Sequence, residues 1–147
     1  MMHAMKSSPK RVVATGTFDI LHPGHVLYLC RARELGDELW VIVSRESTIK
    51  HKRKPLIPEQ QRLFMVQALK CVDHAVLGSE TDMFEPIIKI KPDIIVLGFN
   101  QHWNEEVLKR QLAERGIHAK VVRLTDRDLS PYASSRYIRQ KIKESDP

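Results

Sequence analysis

Short apolar runs alternate along the chain with segments in which apolar residues recur at helical spacing. The run over residues 39–43 is continuous, which is typical of a strand buried on both faces. The predicted strands cover residues 12–15, 39–43, 72–77, 93–98 and 119–124, and the predicted helices cover residues 24–35, 59–70, 84–90, 104–115 and 134–143. Strands separated by helices in this order predict a Rossmann-like, doubly wound five-stranded parallel sheet with helices on both faces.

The length of 147 residues suits a single domain with one buried core. No internal repeat or linker divides the chain, and we assign the folded domain to residues 11–144. Residues 1–10 lack the apolar segment of a secretory signal, so we interpret them as a flexible start or a remnant of the expression vector. No apolar run approaches the ~20 residues that cross a bilayer, so no transmembrane helix and no membrane partner are predicted.

Charge and cysteine content add two expectations. The net charge of +6 suits a polyphosphate substrate as well as a nucleic acid, so the distribution of the charge has to decide between them. Cys30 and Cys71 are the only cysteines, and each lies on a predicted apolar helical face or at its end. We interpret them as core packing and not as a disulfide framework or a zinc site. A reducing, cytoplasmic location is the expectation that follows.

The turn over residues 16–25 is the first candidate site. It follows a short strand and opens a helix, so its backbone N–H groups and the helix dipole favour an anion. Ligands of such sheets bind beyond the carboxyl ends of the strands, where the strand order reverses. We therefore expect this turn to face the turn after the fourth strand, residues 98–103, and to form a phosphate cradle there.

Two histidines, His22 and His25, stand in this turn with only Pro23 and Gly24 between them. Pro23 suits the first position of a helix, and Gly24 would let a phosphate approach the backbone. Imidazole N–H groups at this place could stabilise the charge that develops as a phosphate loses pyrophosphate. The alternative is structural, since a histidine near a helix start also serves as a cap or a surface residue.

Residues 16–25 spell Gly-Thr-Phe-Asp-Ile-Leu-His-Pro-Gly-His, and this string resembles the signature of the cytidylyltransferase-like nucleotidyltransferases, the His-x-Gly-His superfamily. Such enzymes join a nucleoside triphosphate to a phosphorylated acceptor and release pyrophosphate. The similarity extends over residues 11–143. It implies catalysis by His22 and His25, and nucleotide contacts by the turn residues Thr17, Phe18, His22, Pro23, Gly24 and His25.

A basic loop, residues 50–54, follows the second predicted strand at the same edge of the sheet. Charge runs usually face water, but a basic loop at this edge could close over a triphosphate. In the superfamily that the chain resembles, a lysine of this loop contacts the phosphates. Lys54 is the first choice for that catalytic lysine and Lys50 the second. Arg62 also matches a family pattern, with a surface helical arginine as the alternative.

Two further segments are candidate nucleotide contacts, Asn100 by its chemistry and position, with turn geometry as the alternative role, and the start of the last helix also by the resemblance. Asn100 follows the fourth predicted strand and can offer a donor and an acceptor to a base or sugar. The last helix opens with Ser134, Ser135 and Arg136, a start that suits the β- and γ-phosphates while one serine caps the helix. Tyr132, just before them, could stack on or flank the base. Weaker phosphate candidates are Arg123, Arg127 and Arg139.

The acceptor is indicated by segments beyond the turn. Residues 92–101 and 53–58 are similar to the archaeal FAD synthases, which transfer AMP from ATP to FMN with Mg²⁺ on the phosphates. That group often carries cysteines near its C-terminus, and this chain has none after Cys71. The candidate contacts of the flavin ring are Phe18, Phe99 and Trp103. Related enzymes are commonly dimers, so a homodimer is also an expectation.

Two alternatives remain open from the sequence. A glycerol-3-phosphate cytidylyltransferase would use CTP and a small phosphorylated alcohol, but such enzymes commonly carry Gly-Asp-Asp-Trp where this chain has Gly-Phe-Asn-Gln at residues 98–101. A non-catalytic nucleotide- or nucleic-acid-binding module would explain the basic excess. It would not need both His22 and His25, and a nucleic-acid binder would interleave aromatic residues with its basic stretch, which residues 50–54 do not.

Overall fold

The strands of the computed structural model, which describes residues 8–50 and 53–145, form one parallel sheet in the order β3-β2-β1-β4-β5. They are β1 (Arg11–Gly16), β2 (Glu38–Val43), β3 (His74–Leu77), β4 (Ile94–Leu97) and β5 (Lys120–Arg123). The strand order reverses between β1 and β4, as in a doubly wound sheet. The predicted fold is confirmed. The expectation for residues 1–10 falls mostly outside the described residues.

Helices cover both faces of this sheet. They are α1 (Pro23–Arg33), α2 (Glu59–Gln67), α3 (Glu85–Ile90), α4 (Glu105–Glu114) and α5 (Ser135–Ser145), with a 3₁₀ turn over Glu46–Thr48. Buried residues of α1 and α2 share one core cluster, and those of α3 and α4 share the other. No helix within the described residues is long and apolar enough to cross a membrane.

The alternation of side chains along each strand divides the core into its two layers. On β1, Val12 and Ala14 pack toward α1 and α2, whereas Val13 packs toward α3 and α4. All three are fully buried, and burying one such valine contributes about 1.5–3 kcal/mol. The two layers therefore hold β1 at the centre of the sheet, and its carboxyl end is a fixed platform for the turn that follows.

The disulfide between Cys30 and Cys71 corrects the sequence interpretation of these residues as unlinked core packing. Cys30 lies on α1, Cys71 follows α2, and their Cα atoms are 5.2 Å apart. Both helices pack on the same face of the sheet, so residues 41 positions apart become neighbours. Both cysteines are only partly buried. The spacing of two cysteines along the chain does not encode such a neighbourhood, because it depends on the strand order.

Candidate active site

The turns after β1 and β4 meet at the carboxyl edge of the sheet, as predicted. Strands β1 and β4 are hydrogen-bonded neighbours, with Ala14 opposite Val96. Gln101 links the turns, since its Nε2 donates to the Thr15 carbonyl at 3.3 Å and its Oε1 accepts from the Gly98 amide at 2.8 Å. No role for Gln101 was predicted from the sequence. Its only signal there was a place in the segment that resembles FAD synthases.

His22 and His25 together cap the N-terminus of α1. His22 is the N-cap residue, and its Nδ1 accepts from the Gly24 amide at 3.1 Å. Nδ1 of His25 accepts from the His22 amide at 3.3 Å, which completes a capping box. The rings are stacked with centroids 3.7 Å apart. Capping and catalysis, the two roles considered for these histidines, are therefore compatible.

The capping bonds also fix the tautomer of both rings. A neutral imidazole whose Nδ1 accepts a hydrogen bond carries its proton on Nε2. Among the described residues, neither His22 nor His25 has a partner for Nε2. Each histidine thus keeps one N–H donor for a ligand while its other nitrogen holds the helix start.

Burial keeps these imidazoles neutral. Desolvation, reinforced by His22, lowers the pKa of His25 from 6.5 to about 3, and Asp19 opposes the shift. Desolvation also lowers the pKa of His22, which Asp128 partly offsets. A pair of neutral donors at a helix N-terminus stabilises negative charge without the repulsion that two adjacent imidazolium ions would suffer.

Gly24 brings the start of α5 against the start of α1. A Cβ on Gly24 would lie 2.9 Å from the Ala133 carbonyl oxygen and 2.9 Å from the His22 ring. The close approach that glycine permits here is therefore to the segment before α5. Because Ser134 and Ser135 follow Ala133, the two helix starts that were predicted to contact phosphates lie side by side.

Phe18 lies beneath the histidines and not beside an open site. Its side chain is buried, its φ of 55° is in the left-handed region, and its ring centroid is 5.3 Å from that of His25. A Cβ on Gly16 would come within 2.7 Å of the Phe18 ring, so only glycine fits below it. The structure thus gives Phe18 a supporting place under His25, where the sequence predicted a nucleotide contact.

Asp19 joins the turn to two other segments. Its carboxylate accepts from the Leu56 and Ile57 amides at 3.1 and 2.9 Å, and it pairs with Arg139 on α5. Arg139, a weak phosphate candidate from sequence, is thereby bound to the protein itself. The basic loop and the last helix are both tied to the turn through one carboxylate.

Arg62 also holds the turn after β1 in place. It is 1% exposed, and its guanidinium donates to the carbonyls of Thr17, Ser44 and Ile57, each at 2.8 Å. The surface alternative considered for this arginine is therefore wrong. Burial lowers its pKa, which nearby Asp19 opposes. The three carbonyls belong to the turn after β1, to the residue that follows β2, and to the segment between the basic loop and α2.

Arg123 holds the turn after β4 in a similar way. It donates to the carbonyls of Gly98 at 2.9 Å and Gln101 at 2.7 Å, to the Trp103 carbonyl, and to Glu105. These bonds occupy the donors that would otherwise meet phosphate. The weak prediction of Arg123 as a phosphate ligand is therefore replaced by a role in holding residues 98–103.

Tyr28 is a further site residue that sequence analysis missed. Its hydroxyl is 3.4 Å from the carbonyls of Thr15 and Val96, at the ends of β1 and β4. Burial raises the pKa of this phenol. Tyr28 follows His25 by three positions on α1, so the only sequence signal was a place on the same helical face.

The basic loop is anchored at its end. Lys54 is exposed and lies two positions before Leu56, whose amide donates to Asp19. Lys54 is therefore kept near the turn over residues 16–25, which we call the histidine turn. Lys50 is also exposed and lies at the other end of the loop. His51 and Lys52, which belong to the predicted loop, lie outside the described residues.

The other predicted nucleotide contacts lie at the rim. Asn100 and Tyr132 are exposed on their turns. The Ser134 hydroxyl accepts from the Arg136 amide at 3.2 Å, which confirms one serine as a cap of α5, and the Arg136 side chain is exposed. Arg127 lies over the Phe99 ring at 4.1 Å.

The Cytidylyltransferase-like family matches residues 13–141, which include the histidine turn, the basic loop and the start of α5. The chain belongs to the cytidylyltransferase-like family. The resemblance inferred from residues 16–25 is confirmed.

Individual members of the family are similar over nearly the whole chain. A protein named FAD synthase from Methanocella arvoryzae is 81% identical over 94% of this chain and 99% of its own. Another of that name, from Methanocella paludicola, is 77% identical over 92% of this chain and 98% of its own. A solved structure, the lipopolysaccharide core biosynthesis protein from Thermoplasma volcanium GSS1, is 45% identical with a TM-score of 0.79, covering 82% of this chain and 100% of that one.

Proposed function

We propose that this protein is an FMN adenylyltransferase, an FAD synthase that transfers AMP from ATP to FMN and releases pyrophosphate. The observation that carries the proposal is the pair of neutral histidines at the start of α1, whose Nε2–H groups have no partner in the part of the chain that the structure describes. Such donors suit a reaction in which charge moves onto a leaving phosphate. The acceptor is inferred from the relatives named FAD synthase at up to 81% identity.

The reaction in this proposal is direct displacement at the α-phosphorus. A phosphate oxygen of FMN forms the new P–O bond, and the bond between the α-phosphorus and the bridging oxygen breaks to release pyrophosphate. His22 and His25 donate from Nε2 to the phosphate oxygens as the charge develops. No covalent intermediate on the protein is needed, so catalysis rests on orientation and on charge stabilisation.

The remaining nucleotide contacts are proposals that position supports. Lys54, with Lys50 as the second choice, would neutralise the triphosphate from the anchored basic loop. Ser134, Ser135 and Arg136 would receive the β- and γ-phosphates, because Gly24 places their helix start beside α1.

The base and sugar would meet the rim of the same edge. Asn100 and Tyr132 are exposed there, and Thr17, Pro23 and Gly24 offer the backbone of the turn. Thr17 is fixed for this role, since its carbonyl is held by Arg62 at 2.8 Å.

Mg²⁺ would enter with the triphosphate, held mainly by phosphate oxygens, and would neutralise charge on them. The carboxylate of Asp19 does not suit a metal ligand, because both of its oxygens already accept from the protein. Asp128 suits the role of an outer-sphere partner of the Mg²⁺ ion. One of its oxygens accepts from the Ser130 amide, and it lies close enough to influence His22.

The wider setting is also part of the proposal. Residues 11–144 would be the nucleotidyltransferase domain, acting in the cytoplasm on ATP and FMN, with neither nucleic acid nor membrane as a partner. The location is no longer supported by the cysteines, because Cys30 and Cys71 form a disulfide. The resemblance implies a homodimer, which sedimentation equilibrium tests directly. A steep loss of oligonucleotide affinity with salt would instead support the binding-module alternative.

The decisive experiment measures pyrophosphate release with Mg²⁺ for ATP or CTP paired with FMN or glycerol 3-phosphate. Turnover with ATP and FMN, together with FAD detected as product, is the expected result. Turnover only with CTP and glycerol 3-phosphate would move the protein to the cytidylyltransferase alternative. The absence of pyrophosphate release in all four pairings would overturn the proposal.

Replacing His22 or His25 by alanine should lower kcat by ~10² or more, by analogy with the loss of one charge-stabilising donor. His22→Ser separates the two roles of His22, because serine caps a helix but has no imidazole. Compared with His22→Ala, His22→Ser should regain stability but not turnover. His118→Ala is the matched control, since His118 is exposed at the opposite edge, before β5. Full activity in both alanine variants would contradict the mechanism.

A further inference from the structure

A groove of about 710 Å³ lies on the α3 and α4 side of the sheet, over β2 and β3. It exists because α3 packs over β1, β2 and β4, and α4 lies beside β5. Within residues 8–50 and 53–145, no helix therefore lies above edge strand β3 on this face. The groove is lined by Trp40, Arg45, Val76, Leu77, Gly78 and Pro86, among others. Its volume is within the ~300–1,000 Å³ that is common for small-molecule sites.

The two ends of the groove differ in chemistry. Toward the amino end of the strands, the side chain of Trp40 forms an apolar floor, which Val76 continues toward the carboxyl edge, with Ile90 of α3 as a wall. At the carboxyl edge the lining changes to Arg45 and to the polar segment 78–81 that follows β3. The apolar end thus points away from the histidine turn, and the polar end points toward it.

The polar end lies within reach of the reaction centre. The strand register places Gly16, Val43 and Leu77 in one row across β1, β2 and β3. At ~4.8 Å between neighbouring strands, Leu77 is about 10 Å from Gly16 at the start of the histidine turn. The ribityl chain of FMN spans a comparable distance between its phosphate and its ring system.

We propose that this groove binds the isoalloxazine ring of the acceptor FMN, with the ribityl chain crossing the end of β2 and the phosphate at the histidine turn. The inference rests on the proposed function, which supplies the flavin. The ring lies against Trp40 and Val76, and the Thr81 hydroxyl lies at the polar end of the groove. The Ser79 hydroxyl there is bonded to Glu85 and to the Thr81 and Asp82 amides. This assignment replaces Phe18, Phe99 and Trp103 as the flavin contacts expected from sequence.

Gly78 offers a direct way to block the groove. A Cβ there would lie 3.6 Å from Ile42 Cγ2 and 3.7 Å from the Val43 carbonyl, which is ordinary contact, and its φ is not in the left-handed region. Gly78→Leu should therefore fold and place its side chain in the groove. We expect it to raise the KM and the Kd for FMN ~10-fold or more, and Gly78→Ala to raise them less than ~3-fold. The KM for ATP should stay within ~2-fold in both variants.

Trp40 tests the far end of the groove. Trp40→Ala should weaken FMN binding ~10-fold, and Trp40→Phe should recover most of it because an aromatic ring remains. Phe64→Ala is the matched control, since Phe64 is an aromatic residue of α2 with 68% exposure and lies away from the groove. Circular dichroism before each assay confirms that a variant has folded.

The readouts are flavin fluorescence titration without ATP and steady-state kinetics with each substrate varied in turn. Unchanged FMN affinity in Gly78→Leu, in a wild-type protein that makes FAD, would overturn the groove assignment and leave the proposed function intact. Loss of a dimer in Gly78→Leu by sedimentation, with FMN affinity unchanged, would assign the groove to a second copy and also overturn it. A wild-type protein that makes no FAD would contradict the proposed function itself.

Discussion

Two buried or half-buried arginines hold the two sides of the catalytic edge, and they do so differently. Arg62 is 1% exposed and joins carbonyls of three separate segments, at Thr17, Ser44 and Ile57. The Arg123 side chain is 25% exposed, pairs with Glu105, and holds carbonyls within the single turn after β4.

The difference shows that the histidine side of the site is held by an arginine that joins three separate segments, whereas the arginine on the β4 side holds carbonyls of one turn. Among the described residues, no carboxylate contacts Arg62, and its Nη2 has no hydrogen-bond partner. A buried guanidinium in that state costs free energy, which its three carbonyl bonds have to offset. The disulfide between Cys30 and Cys71 joins α1 to the end of α2 on the same side. Of the two sides, the histidine side should therefore lose more when one contact is removed.

Removing the disulfide is expected to have the largest effect on stability. Cys30→Ser with Cys71→Ser should lower the free energy of unfolding by about 4 kcal/mol in the chain-entropy estimate for a closed loop of 41 residues. Urea denaturation of the variant and of wild type, with and without reductant, measures the change. Thiol alkylation with mass spectrometry establishes how much of the wild type carries the bond. Equal stability in fully oxidised wild type and variant would contradict the estimate.

Replacing Arg62 is expected to come next. Arg62→Met leaves three carbonyls without their donor and should cost about 3 kcal/mol, with a loss of turnover because the histidine turn is no longer held. Arg62→Lys keeps the charge but not the planar set of donors, and should lose turnover even where it folds. Arg110→Met, on the exposed part of α4, is the matched control. Turnover at the wild-type level in Arg62→Lys would contradict the proposal that Arg62 holds the histidine turn.

Arg123→Met should cost less, about 1–2 kcal/mol, because the side chain is partly solvated and its partners lie in one turn. Its functional effect should fall on the KM for the nucleotide, since only residues 98–103 are loosened. Urea unfolding and kinetics with ATP varied test both parts. A larger loss than in Arg62→Met would reverse the comparison between the two sides.

The last expected effect is a pH dependence of stability that belongs to the histidine side. Because the pKa of His25 falls from 6.5 to about 3 on folding, the unfolded chain binds more protons between these values. This contribution to stability is therefore complete above pH 6.5 and decreases as the pH falls toward 3. Urea unfolding of wild type and His25→Gln at pH 7.5 and pH 5 should show a smaller decrease in the variant. Nitrogen NMR should find the proton on Nε2 at pH 7, and Nδ1 protonation would contradict the capping geometry.

Much of the carboxyl edge of the sheet could be predicted because the sequence features that indicate it are local. The Asn104 cap of α4, for example, was expected from its own neighbours, and its side chain accepts from the Val107 amide at 3.0 Å. The histidine turn and the serine at the start of α5 are likewise short stretches at helix starts. Arg62, Tyr28 and Gln101 could not be assigned in this way, since their partners lie up to 86 positions away.

The sequence by itself determined the order of strands and helices, the turn that carries His22 and His25, and the family. These follow from hydrophobic periodicity and from short motifs, whose residues interact over a few positions of the chain. Only the tertiary structure decided that Cys30 meets Cys71, that Gly24 packs on Ala133, and that β3 leaves a groove beside Trp40. The reason is physical: such neighbours arise from the order in which parallel strands associate, and no local pattern of side chains records that order.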